Sequence, residues 1–93
     1  MLGEGHPDTA TSYNNIGIVY KENGNYDLAL EYFTKALKIR KNVLGGEHHD
    51  VVASYTVIGS AYDYRGDYDR ALGYLNKALD IDRKIKGLSK TTA

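Results

Sequence analysis

The chain has 93 residues, no cysteine, and twelve basic side chains balanced by twelve acidic ones. These numbers exclude a disulfide framework, a thiolate metal site and the basic stripe that binding a phosphate backbone needs. They leave one small domain that buries only about 60–65% of its unfolded surface, so its stability leans on neighbouring elements.

Residues 2–43 align with residues 44–85 at a period of 42, and 19 of the 42 paired positions are identical. Self-similarity at a fixed period predicts a solenoid of stacked helical units. In the first unit His6-Pro7-Asp8 starts a helix, with proline in the first turn and an acid at the positive helix end. Ala10, Tyr13, Ile16, Gly17 and Tyr20 follow at three- and four-residue spacing and are expected to face inward together. Asn23-Gly24-Asn25 is the stop and turn. A second helix carries Ala29, Leu30, Phe33, Ala36 and Leu37 on its apolar face and runs on to Val43. Lys38, Arg40 and Lys41 are read as cations at its negative end, and Glu31 with Lys35 as an i,i+4 ion pair. Leu44-Gly45-Gly46-Glu47 links the units. The second unit repeats the plan, with one helix over about 49–64, a turn at Arg65-Gly66-Asp67, and another helix over about 68–86. The expected fold is all-α, with four helices in two antiparallel hairpins.

A glycine inside a helix costs about 1 kcal/mol relative to alanine. Gly17 returns as Gly59, so something is expected to pack against bare backbone at both places. Ala29, Ala36, Ala71 and Ala78 are the matching small residues on the partner helices, and they let the helices approach closely.

These residues resemble the tetratricopeptide repeat. The family's order of aromatic, aliphatic-glycine, tyrosine, alanine, aromatic and alanine reads here as Tyr13, Ile16-Gly17, Tyr20, Ala29, Phe33 and Ala36. It reads again as Tyr55, Ile58-Gly59, Tyr62, Ala71, Leu75 and Ala78. The 42-residue period and Tyr13-Asn14-Asn15-Ile16-Gly17 are similar to the longer repeats of kinesin light chains, against a usual family length of 34. The proline that often ends the family's second helix is absent at Lys41 and Arg83, and His49 stands where the first unit has Pro7. The resemblance implies a right-handed α-solenoid whose first helices line a concave groove. It implies a scaffold that binds a protein or peptide partner there.

With Tyr13, Ile16, Gly17 and Tyr20 inward, the opposite face of the first helix carries Thr11, Asn14, Asn15, Ile18, Lys21 and Glu22. The equivalent positions of the second unit are Ala53, Thr56, Val57, Ser60, Asp63 and Tyr64. Asn14 and Asn15 are candidates for clamping an extended peptide, since each amide both donates and accepts. The lysine and paired asparagine of the family's carboxylate clamp do not appear, nor does the basic cargo groove of kinesin light chains.

His6, His48 and His49 lack ligand spacing and read as helix-start residues rather than a metal site. Eight of the nine tyrosines fall at four positions shared by both units and read as packing residues, not base-stacking platforms; Tyr64 alone lies towards the groove. No nucleophile–base set or phosphate-cradling glycine loop appears. No catalytic residue, metal or cofactor is therefore expected, and the chain is read as a non-enzymatic binding module. No apolar run approaches the roughly 20 residues of a membrane span and no signal peptide opens the chain, so a soluble cytoplasmic domain without nucleic-acid or membrane partners is expected. The alternative reading is a structural segment of a longer array. The chain stops just after the second unit, and residues 86–93 are too short and polar to form a full capping helix. Uncapped apolar ends then predict end-to-end or swapped self-association.

Overall fold

The computed structural model describes residues 5–89. The start of the first repeat at residue 2 and the tail from residue 90 lie outside the described residues. Four helices follow one another, α1 Pro7–Glu22, α2 Tyr26–Leu44, α3 His49–Arg65 and α4 Tyr68–Ser89. The expected helices are all present. Leu44, read as linker, closes α2, and α4 runs to Ser89 rather than to Lys86.

The helix ends form where local chemistry satisfies the first and last backbone groups. His6 and His48 are the N-caps of α1 and α3, and each Nδ1 accepts the amide of the residue two further on, Asp8 and Asp50, at 3.0 Å. A ring nitrogen here does the work usually given to a serine or aspartate oxygen. At the other end, Gly24 and Gly66 take φ of 85° and 92°, a left-handed conformation that costs glycine little. The amides of Asn25 and Asp67 then reach back to the carbonyls of Tyr20 and Tyr62 at 2.8 and 2.9 Å. This wrap closes the helix and reverses the chain in three residues after α1 and two after α3. Asn25 and Asp67 cap the next helix with their own side chains, accepting from Leu28 and Arg70.

Within each hairpin, the glycine of the first helix admits the second helix. A Cβ on Gly17 would lie 2.6 Å from the Phe33 ring and 3.1 Å from the Ala29 carbonyl. On Gly59 it would lie 2.8 Å from Leu75 and 3.2 Å from the Ala71 carbonyl. A tyrosine cluster closes the same joint. Tyr32 sits 5.9 Å from Tyr13 and 5.7 Å from Tyr20, while Tyr74 sits 6.1 Å from Tyr55 and 5.6 Å from Tyr62. Such ring pairs add to burial through favourable offset contacts. Lys35 lies over Tyr13 and Tyr32, and Lys77 over Tyr55 and Tyr74, all at 5.2–5.7 Å. The ion pair expected between Glu31 and Lys35 is thus replaced by a cation over two rings. The second repeat makes the same contact with Gly73 in the place of Glu31, so no carboxylate is needed.

Between the hairpins, α2 packs on α3. Leu30 and Phe33 of α2 share one apolar cluster with Ile58 and Ala61 of α3, and Leu37 bridges to a second cluster of Val51, Tyr55 and Ala78. Polar links close both ends of this seam. Arg40, read from sequence as a helix-end cation, is instead buried, and its Nη1 donates to Ser54 Oγ at 2.9 Å and to the Asp50 carbonyl at 3.3 Å. At the turn end, Arg65 pairs with Asp27 of α2 and lies 5.0 Å over Tyr62.

The seam also explains why one isoleucine of the repeat is covered and the other is not. Ile16 was expected inward, yet it is 40% exposed while its repeat counterpart Ile58 is 2% exposed. The two sit at the same helical position, but only Ile58 has a preceding α2 to cover it. Leu72 is 60% exposed against 8% for Leu30, because α3 covers Leu30 and no described helix covers Leu72.

Gly17→Ala should destabilise the chain by about 1–2 kcal/mol, because overpacking a fully buried ring outweighs the gain of about 1 kcal/mol in helix propensity. Gly59→Ala should stay within about 1 kcal/mol of the parent, since the half-exposed, flexible Leu75 can give way. Urea unfolding midpoints measure both. Arg40→Ala should cost about 2 kcal/mol on the same assay, because it strands the buried Ser54 hydroxyl.

Candidate functional site

The face of α1 and α3 turned away from α2 and α4 carries the twelve positions singled out from sequence. Thr11, Asn15 and Glu22 of α1 and Ala53, Thr56, Asp63 and Tyr64 of α3 are exposed. Asn14, Ile18, Lys21, Val57 and Ser60 are half-buried. At 100° per residue, Asn14 and Lys21 lie on the flank of α1 nearest α3, and Thr56 and Asp63 occupy the corresponding flank of α3. Ile18 and Val57 turn partly into the apolar cluster of the α2–α3 seam, and with the remaining six side chains they make up the open face.

Lys21 ties the two first helices together. Its Nζ donates to Ser60 Oγ at 3.4 Å and lies 5.5 Å over the Tyr64 ring. Tyr64 in turn stacks on Tyr26 at 6.2 Å with an interplanar angle of 10°. Lys21, Glu22, Tyr26 and Tyr64 enclose a cavity of about 290 Å³ near the hairpin turns. Three of these four were among the sequence candidates. Tyr26 was missed because it recurs as Tyr68 and therefore read as a turn and packing residue. The clue was Tyr64, the one tyrosine outside the shared positions.

The two asparagines do not behave alike. Asn14 Oδ1 is buried without a hydrogen-bond partner, so its acceptor is closed off from a ligand, whereas Asn15 is exposed. The hydroxyls of Thr11 and Thr56 donate to the carbonyls of Pro7 and Val52 on their own helices. What the face offers is mixed: an apolar middle of Ile18, Ala53 and Val57, one exposed amide, and an aromatic cavity edged by Lys21 and Glu22. One cation and two carboxylates, Glu22 and Asp63, leave no dominant sign of charge.

Other candidate chemistry is accounted for by structure. His6 and His48 spend their Nδ1 atoms on helix starts, and among the described residues no three His, Cys, Asp or Glu side chains gather as a metal site needs. Among the described residues no helix is long and apolar enough to cross a membrane.

Comparison with known proteins agrees with the architecture. A family model described as "Tetratricopeptide repeat" matches residues 8–84, which takes in all four helices apart from their outermost residues. No curated protein sequence matches the chain. With paired antiparallel helices, a glycine-tyrosine joint in each hairpin and that match over most of its length, the chain belongs to the tetratricopeptide repeat family.

Proposed function

We infer that the chain is a protein-interaction module that takes an extended peptide or a helix of a partner along the α1/α3 face. Members of this family generally act as protein-binding scaffolds and are typically not enzymes. The observation that carries the finer reading is the contrast between two sets of positions. Residues that pack within the hairpins recur, such as Tyr13 with Tyr55 and Gly17 with Gly59. Residues on the open face differ, as Asn15 with Val57, Ile18 with Ser60, and Glu22 with Tyr64. A scaffold that repeats under a surface that does not is suited to recognising one irregular partner. Rigidity supports the same reading, because stacked hairpins lose little freedom on binding. The Tyr26–Tyr64 cavity, with an ammonium on one side and a carboxylate on the other, suits a side chain with an apolar body and a polar tip. Balanced charge favours a protein over a nucleic acid as the partner.

A second reading, that stacking at the end faces is the main interaction, draws on the exposure of Ile16 and Leu72.

Peptides selected from an array and titrated calorimetrically test the groove. Asn15→Ala combined with Tyr64→Ala should weaken a selected peptide by at least about tenfold, as expected for an aromatic anchor; unchanged affinity removes the α1/α3 face as the site. Tyr64 is 65% exposed, so Tyr64→Ala alone should change stability by no more than about 0.5 kcal/mol. Tyr74→Ala, which breaks two ring contacts in the core, should cost at least about 2 kcal/mol in the same unfolding assay.

A further inference from the structure

We propose that the chain joins a second copy of itself head to tail, with α4 of one copy packing on α1 of the next as α2 packs on α3 within the chain. This rests on the stacking reading above and specifies its partner and register. The α2–α3 seam is a template for the joint, because α4 is the repeat of α2 and α1 is the repeat of α3. In the seam Leu30 and Phe33 meet Ile58 and Ala61. At the joint Leu72 and Leu75 would meet Ile16 and Val19 of the next copy, and these four are the exposed apolar side chains at the matching positions.

The substitutions between template and joint compensate one another. Phe33 becomes the smaller Leu75, while its neighbour Ala61 becomes the larger Val19, so the volume across the contact is kept. The polar links change in step as well. Arg40 donating to Ser54 becomes the Asp82 carboxylate, which Lys86 of its own helix pairs at 2.9 Å, beside the Ser12 hydroxyl. Asp27 paired with Arg65 becomes Asp69 beside the Asn23 amide. Both of these pairs set an acceptor against a neutral donor, while the carbonyl of Asp50 that Arg40 also reaches is replaced by that of Asp8, to which Asp82 has no proton to donate. Neither end of the joint buries like charges against each other.

Two different faces of one molecule meet in this contact, so it is heterologous and adds copies one after another rather than pairing two about a two-fold axis. Sedimentation equilibrium of the 93-residue chain, up to millimolar concentration, should give a mass that climbs above 10.3 kDa without stopping at a dimer. Ile16→Glu and Leu72→Glu should each weaken association by about 100-fold, because each places an unpaired carboxylate in the apolar joint. Both positions are exposed in the single chain, and helical circular dichroism checks that the variants fold; Ile16→Ser and Leu72→Ser serve if the charged forms do not. Mixed in equal amounts, the two variants should pair and stop at a heterodimer, since one intact face of each kind remains. Tyr64→Ala should leave association unchanged. A parent chain that stays monomeric at millimolar concentration overturns both the joint and the stacking reading. Association that survives either single variant, or a mixture that does not pair, overturns the head-to-tail register and leaves the stacking reading standing.

Discussion

A helical hairpin of this kind has two apolar flanks and can cover neither with its own residues, so the structure depends on the seam where α2 meets α3. Within a hairpin, the glycine joint and the tyrosine cluster fix how two helices cross. They do nothing for Leu30, Leu37 or Ile58, which point sideways. Only when the second hairpin stacks on the first do these residues leave water, and at about 25 cal/mol per Å² such burial matters greatly to a chain this small. Arg40 shows how completely the seam excludes solvent, since its guanidinium is buried and held by Ser54 and the Asp50 carbonyl. Arg65 with Asp27 closes the opposite end. The hydrophobic middle supplies the attraction and the two arginines fix the register.

That division explains what the sequence disclosed and what it concealed. Many of the identities between repeats mark contacts made twice, once in each hairpin. Gly17 and Gly59, the paired tyrosines and the two capping histidines all belong to that class, so the helices, turns and hairpin packing were legible. Seam contacts are made once, by one repeat's second helix and the other's first. Arg40 is followed by Asp82 and Arg65 is preceded by Asn23, so neither stood out from the surface charges around it. Ile16 failed in the opposite way. Its identity with Ile58 was real, but the contact it signalled exists for only one of the two.

The candidate site was partly legible for a related reason. Helical periodicity placed all twelve positions on one side of α1 and α3, which is a matter of 100° per residue. It did not separate the open face from the flank between the helices, where Asn14 has its carbonyl oxygen enclosed and Lys21 reaches Ser60. Nor could it supply Tyr26, which enters the face from the next helix across the turn. Lys35 was misassigned because a charge pair at i,i+4 is visible in sequence, while a cation over two rings on different helices is not.

The same seam governs how binding and stacking relate. Lys21 and Tyr64 belong to different repeats, and so do Tyr26 and Tyr64, so the aromatic cavity is assembled only when the hairpins are in register. The open face is therefore not a property of either repeat alone. A ligand that grips both sides of the cavity binds the stacked form and not the separated hairpins, so it stabilises the seam by mass action. Conversely, a change that loosens Arg40 or Arg65 lowers the fraction of chains with an assembled cavity and weakens binding without touching the ligand. The groove and the repeat interface are two sides of one packing arrangement.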